Sequence, residues 1–113
     1  MAEGCIFCRI AAGEIPSARV AENARAVAFR DLHPQAPVHV LVVPRRHVAS
    51  LAEAADGEEL GALLLLAQEV ARREGIADTG YRVVTNVGAD GGQTVPHLHL
   101  HVLGGRGMQW PPG

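Results

Sequence analysis

Apolar and polar positions along the chain form short segments punctuated by Gly and Pro, with one longer stretch of helical period. Cys5 to Ala12 is a mostly apolar stretch closed by Gly13 and Pro16, long enough for about two helical turns. Ala18 to Ala21 and Ala24 to Arg30 look like two short strands, with Glu22-Asn23 as the hairpin turn between them. Asp31 to Pro37 is loop, because Pro34 and Pro37 lack the N–H that a ladder or helix needs. Val38 to Val43, apolar apart from His39 and ended by Pro44, reads as a buried strand. Tyr81 to Val87 and Leu98 to Leu103 are two further strands, separated by a loop from Gly88 to Pro96 that holds three glycines.

The long stretch, Asp56 to Gly75, is predicted as a helix. Asp56 is its N-cap, Glu58 and Glu59 suit the first turn, Arg72 and Arg73 suit the last, and Gly75 stops it. At 100° per residue, Leu60, Leu63, Leu64, Ala67, Val70 and Ala71 share one face, and Leu65 and Leu66 fall outside it. Either these leucines serve a second packing surface, such as a subunit partner, or they are two exposed leucines with no further role. The sum is one α+β domain over residues 1–113: a five-stranded antiparallel sheet with one long helix and a short N-terminal helix.

At 113 residues the chain has room for one domain, with a core that needs no disulfides but is thin enough for dimerisation to help. The formal charge is −2, and the only adjacent cations are Arg45-Arg46 and Arg72-Arg73, which argues against a counterion-release grip on nucleic acid. All ten cations are arginines, so lysine Schiff-base and P-loop chemistry are excluded. The longest apolar run, Ala62 to Ala67, is far short of a bilayer span, and Met1 to Gly4 has no signal-peptide character. A soluble cytoplasmic protein is expected.

Six histidines remain to be explained, and three of them, His97, His99 and His101, alternate within five positions. In an extended strand they share one face, facing a cleft, while Leu98, Leu100 and Val102 point to the core. His97 and His101 would then lie about 13 Å apart, so one metal cannot take all three, although His97 or His99 could ligate with outside help. A neutral imidazole is nucleophilic near pH 7, so His99 needs no separate base. Gly91 and Gly92 would let backbone N–H groups approach a phosphate, and Thr94 adds a hydroxyl. Taken alone, Asp90-Gly91 is equally a turn before a strand. Cys5-x-x-Cys8 could be a redox pair, two inert buried cysteines or half of a zinc site.

The run His97-Leu98-His99-Leu100-His101-Val102 after Gly91-Gly92-Gln93-Thr94-Val95 resembles the signature of the histidine triad superfamily. Cys5-Ile6-Phe7-Cys8, Phe29-Arg30-Asp31, Pro34 to His39, Pro44 to His47 and the ending Gly104-Gly105-Arg106 to Trp110-Pro111-Pro112-Gly113 resemble its Hint branch, the histidine triad nucleotide-binding proteins. The resemblance covers nearly the whole chain and implies a homodimer with a ten-stranded assembly, residues 104–113 forming a C-terminal tail. It further implies hydrolysis of purine nucleoside phosphoramidates, AMP or GMP joined to an amine, and of acyl-AMP, through a covalent nucleotidyl intermediate on His99.

In this implied site His101, Asn86, Gly92 and Thr94 hold the phosphate, and His39 and His97 form a supporting proton relay. Asp31 binds the ribose; Ile6, Phe7, Ile10, Ile15, Phe29 and Leu32 line the base slot. Trp110 either pins the tail or reaches the partner's active site, the second being what the resemblance implies. No cofactor is required for catalysis, but some bacterial relatives bind structural zinc through the equivalents of Cys5, Cys8, His47 and His97. Two other functions stand beside the phosphoramidase. One is dinucleoside polyphosphate hydrolysis, against which the Trp110-Pro111-Pro112-Gly113 ending argues; the other is a non-enzymatic nucleotide-binding regulator. A nucleotidyl transferase with Gln at the third triad position is disfavoured, because His101 stands there.

Overall fold

The computed structural model describes residues 3–113. The sheet order is β1-β2-β3-β5-β4, antiparallel throughout, with β1 Arg19–Glu22, β2 Ala26–Arg30, β3 Val38–Pro44, β4 Tyr81–Val84 and β5 Leu100–Gly104. Helices α1 (Ile6–Ala11), α2 (Gly57–Arg73) and the single turn α3 (Gly88–Gly91) complete the domain. The β1–β2 turn is built by Asn23, whose Oδ1 accepts from the backbone N–H groups of Arg25 and Ala26, so β2 begins at Ala26 and not Ala24.

The pleat divides the core in two. Ala26, Ala28, Val40, Val42, Leu100 and Val102 face α2, with Leu63, Leu66 and Val70 packed on them. Val27, Phe29, Leu41 and Val43 point the other way, against Phe7 and Ile10 of α1. β3, buried on both faces apart from its first residue, is the buried strand that its mostly apolar sequence predicts and lies at the centre of the sheet.

Helix α2 begins where the sequence predicts: the Asp56 Oδ1 atom accepts from the N–H groups of Glu58 and Glu59. Its buried face differs from the expected one. Leu66 is in the core at 1% exposure, whereas Leu64 is 55% and Leu65 62% exposed. The stripe is rotated by about 40° because it also carries Glu59 inward. That carboxylate is buried and held by Arg46, whose Nη2 donates at 2.9 Å, with Arg25 at 3.8 Å. Among the described residues no helix is long and apolar enough to cross a membrane.

The histidine run is only partly strand. β5 starts at Leu100, and residues 97–99 form an irregular approach to it, so His97 and His101 do not face one cleft. Thr85 to Val87 likewise lie beyond β4, and the expected loop from Gly88 to Pro96 contains α3.

Candidate active site

Two elements bring the chemistry together: α1 lies on the sheet face that carries Phe29, Leu41 and His101, and the segment before β5 passes beneath its first turn. A cavity of about 360 Å³ opens there, lined by Ile6, Phe7, Ile10, Ile15, Phe29, Asp31, Leu32, Thr94, His99 and His101. Ten residues expected in a nucleotide site thus converge on one concavity, six of them apolar and four, Asp31, Thr94, His99 and His101, polar.

Hydrogen bonds to backbone groups fix the tautomers of His99 and His39, and through His39 that of His101. His99 Nδ1 lies 2.7 Å from the carbonyl oxygen of His97, which can only accept, so Nδ1 carries the proton and Nε2 the lone pair. Among the described residues Nε2 has no hydrogen-bond partner, and it is not sealed from solvent, which leaves it open to the cavity. Thr85 donates its hydroxyl to the His99 carbonyl at 2.9 Å, and the Phe7 ring meets the His99 ring edge-on at 5.1 Å. Backbone and ring are therefore both held.

His101 is fixed by a relay of donors. The Gln35 N–H donates to His39 Nδ1 at 3.0 Å, so His39 Nε2 carries hydrogen and donates to His101 Nδ1 at 2.8 Å. His101 then presents Nε2–H, a donor without a partner among the described residues, beside the His99 ring 5.0 Å away between centroids. Burial, then the neighbouring His99 and His39, pushes the His101 pKa down to about 4, which keeps the ring neutral at pH 7. Burial also lowers the His39 pKa, against the opposing pull of Asp31 at 3.4 Å.

His97 departs from the expected role in the relay. It is fully buried: Nε2 donates to the Pro44 carbonyl at 2.9 Å, while Nδ1 faces Cys5 Sγ at 3.2 Å and Cys8 Sγ at 3.5 Å. Its ring does not line the cavity; what it offers the site is the carbonyl that orients His99. His47 Nδ1 lies 3.3 Å from Cys8 Sγ, and the ligand atoms of Cys5, Cys8, His47 and His97 all fall within 4.8 Å of one another. Tetrahedral zinc with two thiolates and two imidazoles requires S···N edges of about 3.5 Å, so the four donors fit that ion. The Pro44 carbonyl supplies the outer contact that orients a ligating imidazole.

Three expected contacts are absent from the cavity. Gly92, at φ +78°, gives its N–H to the Ala89 carbonyl at 3.0 Å and ends α3, so that amide is committed. Asn86 lines a neighbouring groove, and Trp110 projects from the tail with 82% exposure. Conversely, Gln35, Thr85 and Gln93 position the site without having been singled out. Gln93 spans the loop by donating to the carbonyls of Ala49 and Val95.

The HIT domain family model matches residues 12–108. An uncharacterised HIT-like protein from Synechocystis is 53% identical over 115 residues, spanning all of both chains. The crystal structure of a HIT family hydrolase from Legionella pneumophila superposes with a TM-score of 0.93 at 49% identity, over 97% of this chain and 100% of that one. A histidine triad nucleotide-binding protein from Candida albicans superposes with a TM-score of 0.84 at 33% identity, over 97% of this chain and 85% of that one. The paired histidines at the cavity, the five-stranded sheet and the sequence match agree: this chain belongs to the HIT domain family.

Proposed function

We propose that the protein hydrolyses nucleoside phosphoramidates through a nucleotidyl intermediate on His99. The observation that carries this reading is the His99 tautomer: Nδ1–H is spent on the His97 carbonyl, and the Nε2 lone pair faces the cavity beside the His101 Nε2–H donor. A Legionella relative named as a hydrolase and a Candida relative named as nucleotide-binding are consistent with it.

A purine would sit among Ile6, Phe7, Ile10, Ile15, Phe29 and Leu32, with ribose hydroxyls donating to Asp31. Asp31 Oδ1 already accepts from the His33 N–H at 2.8 Å, which holds the carboxylate in place. His99 Nε2 attacks phosphorus, the P–N bond breaks, and its electron pair leaves with the nitrogen, which takes a proton and departs as amine. His101 Nε2–H and the Thr94 hydroxyl donate to the phosphoryl oxygens as charge grows on them. Water then attacks phosphorus, its oxygen stays on the nucleoside monophosphate, its proton is released, and His99 regains its lone pair. A fluorogenic adenosine phosphoramidate tests the assignment: wild-type protein turns it over and His99→Ala does not, whereas equal rates would refute it.

Zinc bound by Cys5, Cys8, His47 and His97 would be structural in this scheme, tying the first turn of α1 to the residue whose carbonyl orients His99. Cys5 Sγ already caps α1 by accepting from the Cys8 N–H. We also propose a homodimer, supported by the exposed Leu64 and Leu65 on α2 and the exposed Tyr81 and Val83 on the edge strand β4. Sedimentation at micromolar concentration reads the mass directly.

A further inference from the structure

The face of β5 that presents His101 continues into a second concavity of about 450 Å³, and His101 lines both. Its walls include Arg82, Asn86 and Arg106, with the tail from Met108 onward on one side. Strand register sets the order of groups along this face. Val84 pairs with His101 and Arg82 with Leu103, so Arg82 lies two residues further along the strands, roughly 7 Å from the His101 position. A phosphoryl group at His99 with its nucleoside in the first cavity would direct its other substituent past His101 toward Arg82.

The charged side chains that line the groove are of one sign. Six of the ten arginines pair with carboxylates within 4 Å: Arg19, Arg25, Arg30, Arg45, Arg46 and Arg73. Arg82 and Arg106 do not, and among the described residues no Asp or Glu lines the groove, whose tail wall includes the terminal residue Gly113. Both are held by carbonyls instead, which fix the guanidinium while leaving its charge uncompensated. Arg82 Nη2 donates to the Gln109 carbonyl at 2.8 Å, and Arg106 forks onto the Gln35 carbonyl through Nε and Nη2 at 3.2 and 3.0 Å. A pre-positioned arginine loses little further freedom on binding an anion.

We propose that this groove is the leaving-group subsite and that Arg82 and Arg106 make it selective for leaving groups bearing a negative charge, a carboxylate or a phosphate. The inference rests on the phosphoramidase reading and narrows its substrate class to amides of AMP with anionic amines, or to anhydrides whose leaving half is itself a phosphate.

The test compares kcat/KM for two length-matched substrates, the AMP amides of γ-aminobutyrate and of butylamine, with diadenosine triphosphate as the phosphate arm. Wild-type protein favours the γ-aminobutyrate amide by about tenfold or more, the scale of a charge-assisted hydrogen bond. The ratio collapses toward unity in Arg82→Met and Arg106→Met, and Arg82→Lys keeps part of it. Faster turnover of diadenosine triphosphate than of either amide assigns the groove to phosphate. A wild-type ratio near unity with slow turnover of diadenosine triphosphate overturns the proposal, and so does a ratio that both methionine variants retain. Should wild type hydrolyse none of the three, the phosphoramidase reading fails by itself. Calorimetry of the two amides with His99→Ala then decides the subsite, tighter binding of the anionic amide upholding it and equal binding refuting it.

Discussion

Replacing His39 by Leu removes the group that fixes His101 without touching the nucleophile. Two hydrogen bonds go, the 3.0 Å bond from the Gln35 N–H and the 2.8 Å bond to His101 Nδ1, together with the 3.4 Å contact to the Asp31 carboxylate. Gln35 is exposed, so water replaces the first. The second leaves a half-buried acceptor without its donor, at about 1–3 kcal/mol of stability. The larger effect is on chemistry, because His101 is no longer held with hydrogen on Nε2 and its donor toward the phosphoryl group is lost for part of the time. A hydrogen bond to a charged group contributes about 1.5–3 kcal/mol, so kcat/KM falls by about 10- to 100-fold, with kcat falling alongside it. His39→Gln returns an amide N–H near the position of Nε2 and recovers most of that loss. Steady-state kinetics on an adenosine phosphoramidate, with thermal melts as a folding control, measure both variants. Activity of His39→Leu within twofold of wild type, or equal losses in the Leu and Gln variants, would refute the argued role of His39.

Other outcomes follow from the same geometry. Protein purified without chelator or histidine tag carries about one zinc per chain by elemental analysis, and chelation lowers the melting temperature, whereas Cys8→Ser binds less metal. Because the folded His101 pKa of about 4 lies below its ordinary 6.5, the unfolded chain takes up that proton first as pH falls. Its effect is absent above pH 6.5, grows down to about pH 4 and levels off below, on the order of 3 kcal/mol in all. His39 adds in the same direction, and urea midpoints on wild type and His101→Gln test the slope. Leu66→Ala costs about 2–5 kcal/mol in chemical denaturation, and Leu64→Ala costs much less in the monomer, the reverse of what the leucine pattern alone predicts.

Local signals were strong enough to place most of the framework. Val38 to Val43 lies between prolines and reads as a buried strand, and Asp56 caps α2 through its own side chain. The face of α2 was legible only to about 40°, because buried Glu59 depends on arginines that precede it in the chain by at least 13 residues. The nucleophile was readable from the alternating histidines, but the different fate of His97 was not. Its partner Cys5 is 92 residues away, and alternation assumes a strand that does not begin until Leu100. Thr85 and Gln35 left no signal, since each acts through a contact that the β4–β5 register or the loop before β3 creates. Family resemblance named Asn86 and Trp110, yet within one chain Asn86 lines the basic groove and Trp110 is exposed.

The central claim is that His99 Nε2 becomes bonded to phosphorus during turnover. Rapid acid-free quenching of wild-type protein with excess adenosine phosphoramidate, followed by intact-mass and peptide mass spectrometry, should find an AMP-sized addition on the peptide containing His99 and none in His99→Ala. Turnover by wild type with no adduct on that peptide, or an adduct that persists in His99→Ala, would contradict it.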